Sequence, residues 1–212
     1  EPCDRGKVLS KADLDRLGGQ WARYNDVDGD AVTYRTLPGT DHPSAGFFTR
    51  GSGHDESARY TENADSYARN MDRLSRKLET ARAVLPAPVL DESSGSSIGL
   101  IAFGSTHAAV LEAREALAAV GRPIDYLRLR ALPLSAEIGE FVSRHERVYV
   151  VEQNRDGQVF DLIRLHLPPE LVERVRSIRH YHCQPLPAIA MSEPQHQSEP
   201  VPARAAPFIG SA

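Results

Sequence analysis

Cysteine is nearly missing from these 212 residues: Cys3 and Cys183 stand near opposite ends, neither with a C-x-x-C partner. Two thiols so placed exclude a disulfide-stapled scaffold and a cysteine-ligated cluster, and they fit a reducing compartment, the cytoplasm. Long apolar runs are missing too. No stretch approaches the ~18 uninterrupted apolar residues of a spanning helix, and the opening Glu-Pro-Cys-Asp is no charged-then-apolar leader. Membrane and secretory roles are therefore not expected. Basic charge is scarce and scattered, 25 Lys and Arg against 29 Asp and Glu for a net charge of -4. No basic run could neutralise several phosphates together, so nucleic acid is not an expected partner. There is no initiator Met and no internal repeat, and the start is that expected of a fragment of a longer chain.

What is present reads in two stretches. Residues 1–60 are rich in Gly, Asp, Pro and Thr and predict an extended arm, with punctuation at Leu37-Pro38-Gly39-Thr40 and Arg50-Gly51-Ser52-Gly53. From Thr61, a plausible N-cap, the pattern turns helical. Tyr67, Met71, Leu74, Leu78, Ala81 and Leu85 recur at spacings of four and three, which predicts one buried helical stripe. Pro86 and Pro88 stop that helix, and residues 86–97 read as a polar linker.

Beyond the linker, strand and helix signals alternate. Ile98-Gly99-Leu100-Ile101-Ala102-Phe103 is a continuous apolar run, expected of a strand covered on both faces. Gly104-Ser105-Thr106 opens a helix closed by Gly121. Residues 125–129 give a second strand, 135–145 a helix and 147–152 a third strand. Residues 158–165 and 169–176 read as helices, and 177–181 as a last strand. That order predicts an α/β fold, a three-layer open sheet of parallel type preceded by an extended arm and a helix. Residues 189–212, dominated by Ser, Glu, Pro, Gln and Ala, predict a disordered tail.

Several motifs fail on inspection. Asp26, Asp28 and Asp30 match the first acidic positions of a calcium loop, but Ala31 stands where Gly is needed and Leu37 where a bidentate Glu is needed. His180 and His182, with His166 nearby, lack further ligands in zinc spacing. Gly51-Ser52-Gly53 lacks the third glycine of a dinucleotide turn, and no Lys follows Gly104-Ser105-Thr106 as a phosphate-binding loop requires. No metal is expected.

Two groups of polar residues stand out. Arg50, His54, Asp55 and Glu56 gather a guanidinium, an imidazole and two carboxylates on a glycine-hinged loop. They suit either a ligand or an arm clamped by ion pairs of Arg50. Glu152, Gln153 and Asn154 follow the third parallel strand, at the edge where open α/β sheets bind ligands or dock partners. The same residues also suit an N-cap and turn leading into the next helix.

Taken in order, Arg35-Thr36-Leu37-Pro38-Gly39-Thr40-Asp41-His42-Pro43, Phe48-Thr49-Arg50-Gly51-Ser52-Gly53-His54-Asp55-Glu56 and Asn70-Met71-Asp72-Arg73-Leu74 resemble the alpha subunit of 2-oxoglutarate:ferredoxin oxidoreductases. Gly104-Ser105-Thr106, Leu127-Arg128-Leu129-Arg130-Ala131-Leu132-Pro133 and Val151-Glu152-Gln153-Asn154-Arg155-Asp156-Gly157-Gln158 continue the resemblance, which covers roughly residues 5–188. It implies that residues 1–85 are the end of a pyrimidine-binding domain with its connecting arm. Residues 98–188 are then a domain similar to the transketolase C-terminal domain.

The family decarboxylates a 2-oxoacid on thiamine diphosphate, passes electrons through a 4Fe–4S cluster to ferredoxin and transfers the acyl group to coenzyme A. Cluster, diphosphate and magnesium belong to its beta subunit, and its Tyr-Pro-Ile-Thr-Pro motif, upstream in alpha, is not in this sequence. The resemblance thus implies no catalytic residue here and no cofactor bound by this chain alone. The beta subunit and ferredoxin are the implied partners, and 2-oxoglutarate is the implied 2-oxoacid. Arg50, His54, Asp55 and Glu56 would line the substrate and cofactor entrance, and Glu152, Gln153 and Asn154 would fix an interdomain contact. Two other readings stay open: a non-catalytic interaction module, and a thiamine diphosphate enzyme of transketolase or pyruvate dehydrogenase type.

Overall fold

The apolar runs become neighbouring strands. In this computed structural model, which describes residues 4–48, 53–92 and 94–181, β2 (Ile98–Phe103), β3 (Asp125–Leu129), β4 (Arg147–Glu152) and β5 (Val175–Arg179) are parallel. A short β1 (Val89–Asp91) pairs antiparallel with β3, and the strand order is β1-β3-β2-β4-β5. The chain divides into two compact units, Glu1–Leu85 and Pro86–Ala212. Arg50, Cys3, Cys183, His182 and the stretch expected to be a disordered tail lie outside the described residues.

In the second unit the order of strands dictates where the helices go. The connection from β2 to β3 runs one way along the sheet and that from β3 to β4 runs back past β2. Right-handed crossovers then place the two helices on opposite faces. So α3 (Thr106–Ala119) packs Val110 over Leu100, Ala102, Tyr126 and Val151. On the other face α4 (Ala136–Arg144) and α5 (Gln158–His166) bring Ile138, Phe141, Val142 and Ile163 onto Ile101, Leu127, Val148 and Val150. The result is a three-layer α/β unit with a mixed, mostly parallel sheet.

Close approach at one point requires glycine. A Cβ on Gly99 would stand 2.6 Å from the Phe141 ring, so its absence lets that ring and His145 lie against β2. Two details depart from the sequence reading. The linker contributes β1, and the helix expected over residues 169–176 is only α6 (Pro169–Val172). The chain is drawn into the sheet from Val175, which is buried in the core.

In the first unit the arm is not wholly extended. It holds α1 (Lys11–Arg16), whose capping box pairs Ser10 with Asp13, and Leu14 of that helix is fully buried. The long helix α2 (Ala64–Val84) starts at Asn63 rather than Thr61, since the Asn63 side chain accepts from Ser66 N at 2.9 Å. It ends before Leu85, which Pro86 holds extended.

The buried stripe expected along α2 is reversed. Tyr67, Met71, Leu74 and Leu78 are exposed, while Ser66, Asn70 and Arg73 are buried. The polar face makes bonds to its own unit. Asn70 Nδ2 donates to His54 O at 2.7 Å, Arg73 Nη1 to Ala31 O at 3.2 Å and Thr80 Oγ1 to Asp30 O at 2.6 Å. With Ala31 fully buried and Asp30 and His54 half-buried, these loop carbonyls need donors, and an apolar face could not supply them.

Candidate functional site

The loop that carries His54, Asp55 and Glu56 is closed by its own backbone. Asp55 N donates to Arg59 O at 2.9 Å and Thr61 N to Gly53 O at 3.2 Å. Asp55 Oδ1 accepts from Ser57 N and Arg59 N, both at 2.9 Å, so this carboxylate shapes the turn. Gly53 is required where it stands, because a Cβ there would come within 2.7 Å of Thr61 O.

Glu56 is committed to α2. Arg69 Nε donates to its Oε1 at 2.9 Å, and that guanidinium holds the carboxyl below its usual range. The His54 ring stacks on Tyr24, centroids 4.2 Å apart and planes 12° from parallel. Around the Tyr24 ring stand two guanidiniums, Arg23 at 5.0 Å and Arg73 at 5.8 Å. Burial, with Arg23 adding like charge, pushes Arg73 below the usual arginine range. His54 thus sits among cations and an aromatic ring. Asp55 and Glu56 fix the loop, and Arg50, the fourth residue of the group, lies outside the described residues.

A cavity of about 340 Å³ opens elsewhere in this unit, lined mainly by Leu9, Leu17, Trp21, Val27 and Tyr34 with Asp13 and Arg16 at its side. None of the residues singled out in the sequence borders it.

In the second unit, Glu152, Gln153 and Asn154 leave the end of β4 next to the end of β2. The connections from these two strands depart to opposite faces, the position at which open α/β sheets form a crevice. Across it Ser105 Oγ and Gln153 Oε1 stand 3.5 Å apart. Glu152, fully buried, accepts from Val159 N at 2.8 Å, Phe160 N at 3.0 Å and Asn154 Nδ2 at 2.9 Å. Asn154 Oδ1 accepts from Gly157 N at 2.7 Å. Both side chains therefore cap the start of α5, where Gly157 takes a left-handed conformation with φ 69°. Gln153 is the exposed member of the three.

Sequence reasoning missed a buried polar centre in the same unit. His145 Nε2 lies 3.2 Å from Asp125 Oδ2, and Ser94 N donates to Asp125 Oδ1 at 3.2 Å. A carboxylate opening a strand, Asp125-Tyr126-Leu127-Arg128-Leu129, whose ends are both buried was the available signal, since a buried carboxylate needs donors. Tyr126 was missed as well. Its hydroxyl lies 3.2 Å from His107 Nδ1, and burial pushes it up to about 12.

Among the described residues no three His, Cys, Asp or Glu side chains gather as metal ligands. No helix among the described residues is long and apolar enough to cross a membrane.

No protein-family profile matches the chain. It is 32% identical over 170 residues to 2-oxoacid:ferredoxin oxidoreductase 2, subunit alpha, of Aeropyrum pernix, a match covering 78% of this chain and 25% of that protein. In structure it resembles a 2-oxoglutarate:ferredoxin oxidoreductase from Magnetococcus marinus, solved with 2-oxoglutarate, coenzyme A and succinyl-CoA bound. The TM-score is 0.68 at 21% identity, over 81% of this chain and 29% of that one. That second likeness is one of fold. The chain spans about a quarter of the length of the curated relative that it matches.

Proposed function

The chain is a relative of the alpha subunits of 2-oxoacid:ferredoxin oxidoreductases, and from that kinship we propose that it works as one part of such an enzyme. The reaction is the oxidative decarboxylation of a 2-oxoacid, 2-oxoglutarate in our reading, to an acyl-coenzyme A with electrons passed to ferredoxin. One observation carries this: identity of 32% sustained through 170 residues, across both units of the chain. The fold likeness to the Magnetococcus marinus enzyme agrees with it.

Within that enzyme this chain supports assembly and borders the active site. Thiamine diphosphate, magnesium and the 4Fe–4S cluster are held by the complete complex with its beta subunit, and the chain by itself does not turn over. Arg50 and His54 face the substrate and cofactor entrance. Asp55 and Glu56 set the loop that carries His54, in agreement with their bonds to Arg59 N and Arg69. Gln153 makes an interdomain contact, on a turn that Glu152 and Asn154 hold rigid. The cytoplasm is the proposed compartment, on the sparse cysteines and the ferredoxin-linked reaction.

The test is purification of the native complex that contains this chain, followed by assay of 2-oxoglutarate- and coenzyme A-dependent viologen reduction. An iron–sulfur beta subunit and that activity are expected together. A complex without either sinks the proposal. Arg50→Ala and His54→Ala are expected to raise KM for 2-oxoglutarate or coenzyme A, and unchanged kinetics in both variants remove the entrance assignment.

A further inference from the structure

The apolar stripe of α2 follows a heptad. Tyr67, Met71, Leu74, Leu78 and Ala81 stand four, three, four and three residues apart, the seam of a helix that packs lengthwise on another helix. From Tyr67 to Ala81 the seam rises roughly 21 Å at 1.5 Å per residue. Its first four members are exposed, and the helix is anchored to its own unit by the opposite, polar face. An apolar seam this long, unpartnered among the described residues, fits a docking surface.

The residues beside the seam decide what docks. Lys77 is exposed, with no ion-pair partner among the described residues, and on the other flank Arg82 is paired with Glu79 of the same helix at 3.0 Å. A second copy packed in parallel would set Lys77 against the copy's Arg82. An antiparallel copy centred on the seam would set the two Lys77 side chains against each other. Like charges at these positions disfavour pairing. Carboxylates at the same places would favour it.

We propose that the α2 seam docks an amphipathic helix of a different sequence, apolar at its own seam positions and acidic on the flanks. The chemistry of this occupant follows from α2 alone. Its source rests on the function proposed above: the part of an oxidoreductase alpha subunit that this chain does not span, since the match covers 25% of the curated relative.

The test uses this chain with two synthetic 21-residue helical peptides, both with Leu and Ile at the seam positions. One carries Glu at the flanking positions and the other Lys. Fluorescence anisotropy is expected to show the Glu peptide binding about tenfold tighter than the Lys peptide. Leu78→Glu is expected to abolish that binding without changing the circular dichroism, and Lys77→Glu to narrow or reverse the preference. Sedimentation is expected to show a monomer before peptide is added. Equal binding of the two peptides, or binding of neither, overturns the proposal. So does a dimer that Leu78→Glu makes monomeric, which would assign the seam to a second copy. None of these readouts involves the oxidoreductase assay, so failure of the proposed function leaves them intact, and their failure leaves that assay intact.

Discussion

Leu78 and Arg73 stand on opposite sides of one helix with their customary burial exchanged: the leucine is 54% exposed and the arginine 7%. The arginine occupies the inner place because its Nη1 reaches Ala31 O and its guanidinium lies over the Tyr24 ring. Truncating Arg73 to Ala leaves that carbonyl without its donor, a cost of about 1–3 kcal/mol. Leu78→Ala is expected to stay within about 0.5 kcal/mol, as surface substitutions do. Urea denaturation of the two variants checks this, and a larger loss for Leu78→Ala would contradict the reversed packing.

Two glycines of the second unit should respond oppositely to alanine. At Gly99 the new methyl would meet the Phe141 ring at 2.6 Å, and overpacking of this kind costs about 1–3 kcal/mol. At Gly139, within α4, the nearest atom is Leu167 Cδ2 at an ordinary 3.8 Å. There alanine should stabilise by about 0.5–1 kcal/mol through helix propensity. Thermal melts of Gly99→Ala and Gly139→Ala should move in opposite directions.

The His145 and Asp125 pair holds one proton across its contact. His145 Nδ1 donates to Phe141 O at 2.7 Å, so the 3.2 Å contact of Nε2 with Asp125 Oδ2 needs one proton between them. An amide at position 125 supplies that proton by donating to a neutral ring, and its carbonyl still accepts from Ser94. Asp125→Asn should therefore cost less than about 1 kcal/mol, and Asp125→Ala about 3–5 kcal/mol, as breaking a buried pair does. Equal losses for the two, measured in guanidinium, would mean that the negative charge itself is required.

Acid should weaken the first unit. Asp30, bonded to Lys7 Nζ at 2.7 Å and to Val32 N at 2.9 Å, is held below its ordinary 3.8, and Arg69 holds Glu56 below its ordinary 4.5. A carboxyl lowered by folding contributes stability above its unfolded value, and that contribution falls away as pH drops through the folded one. Stability should be level above about pH 5 and decline below the ordinary values of 3.8 and 4.5. Lys7→Gln should flatten the decline. Stability profiles of the two proteins from pH 7 to pH 3 test the sign.

Much of the second unit was legible because continuous apolar runs have few structural outcomes. The bounds read for β2, β3 and β4 are those observed. What the sequence concealed depends on spatial context. Period along α2 shows that five apolar residues, Tyr67 to Ala81, share a face, but it does not say whether that face turns inward. The inward choice was made by loop carbonyls such as Ala31 O, distant in sequence. β1 has three residues in a polar stretch and is a strand only because β3 offers it an edge. At Glu152 and Asn154 both sequence readings used the same residues, and only the bonds to Val159 N and Gly157 N show that capping is one of their tasks. Asp125 and His145 are twenty residues apart, with no local pattern to join them.

The strand order also settles how this sheet could be rewired. Val89 lies opposite Arg128 near the end of β3, and Arg179 lies opposite Glu152 at the end of β4. The path therefore enters the sheet and leaves it at the same rim, on its two outer edges. Four strand spacings of ~4.8 Å separate these edges, roughly 19 Å in all. A circular permutant that joins them needs a bridge of about six extended residues laid along the rim where Ser105 and Gln153 meet. New termini would go at the opposite rim, for which the turn at Gly121 provides a ready opening.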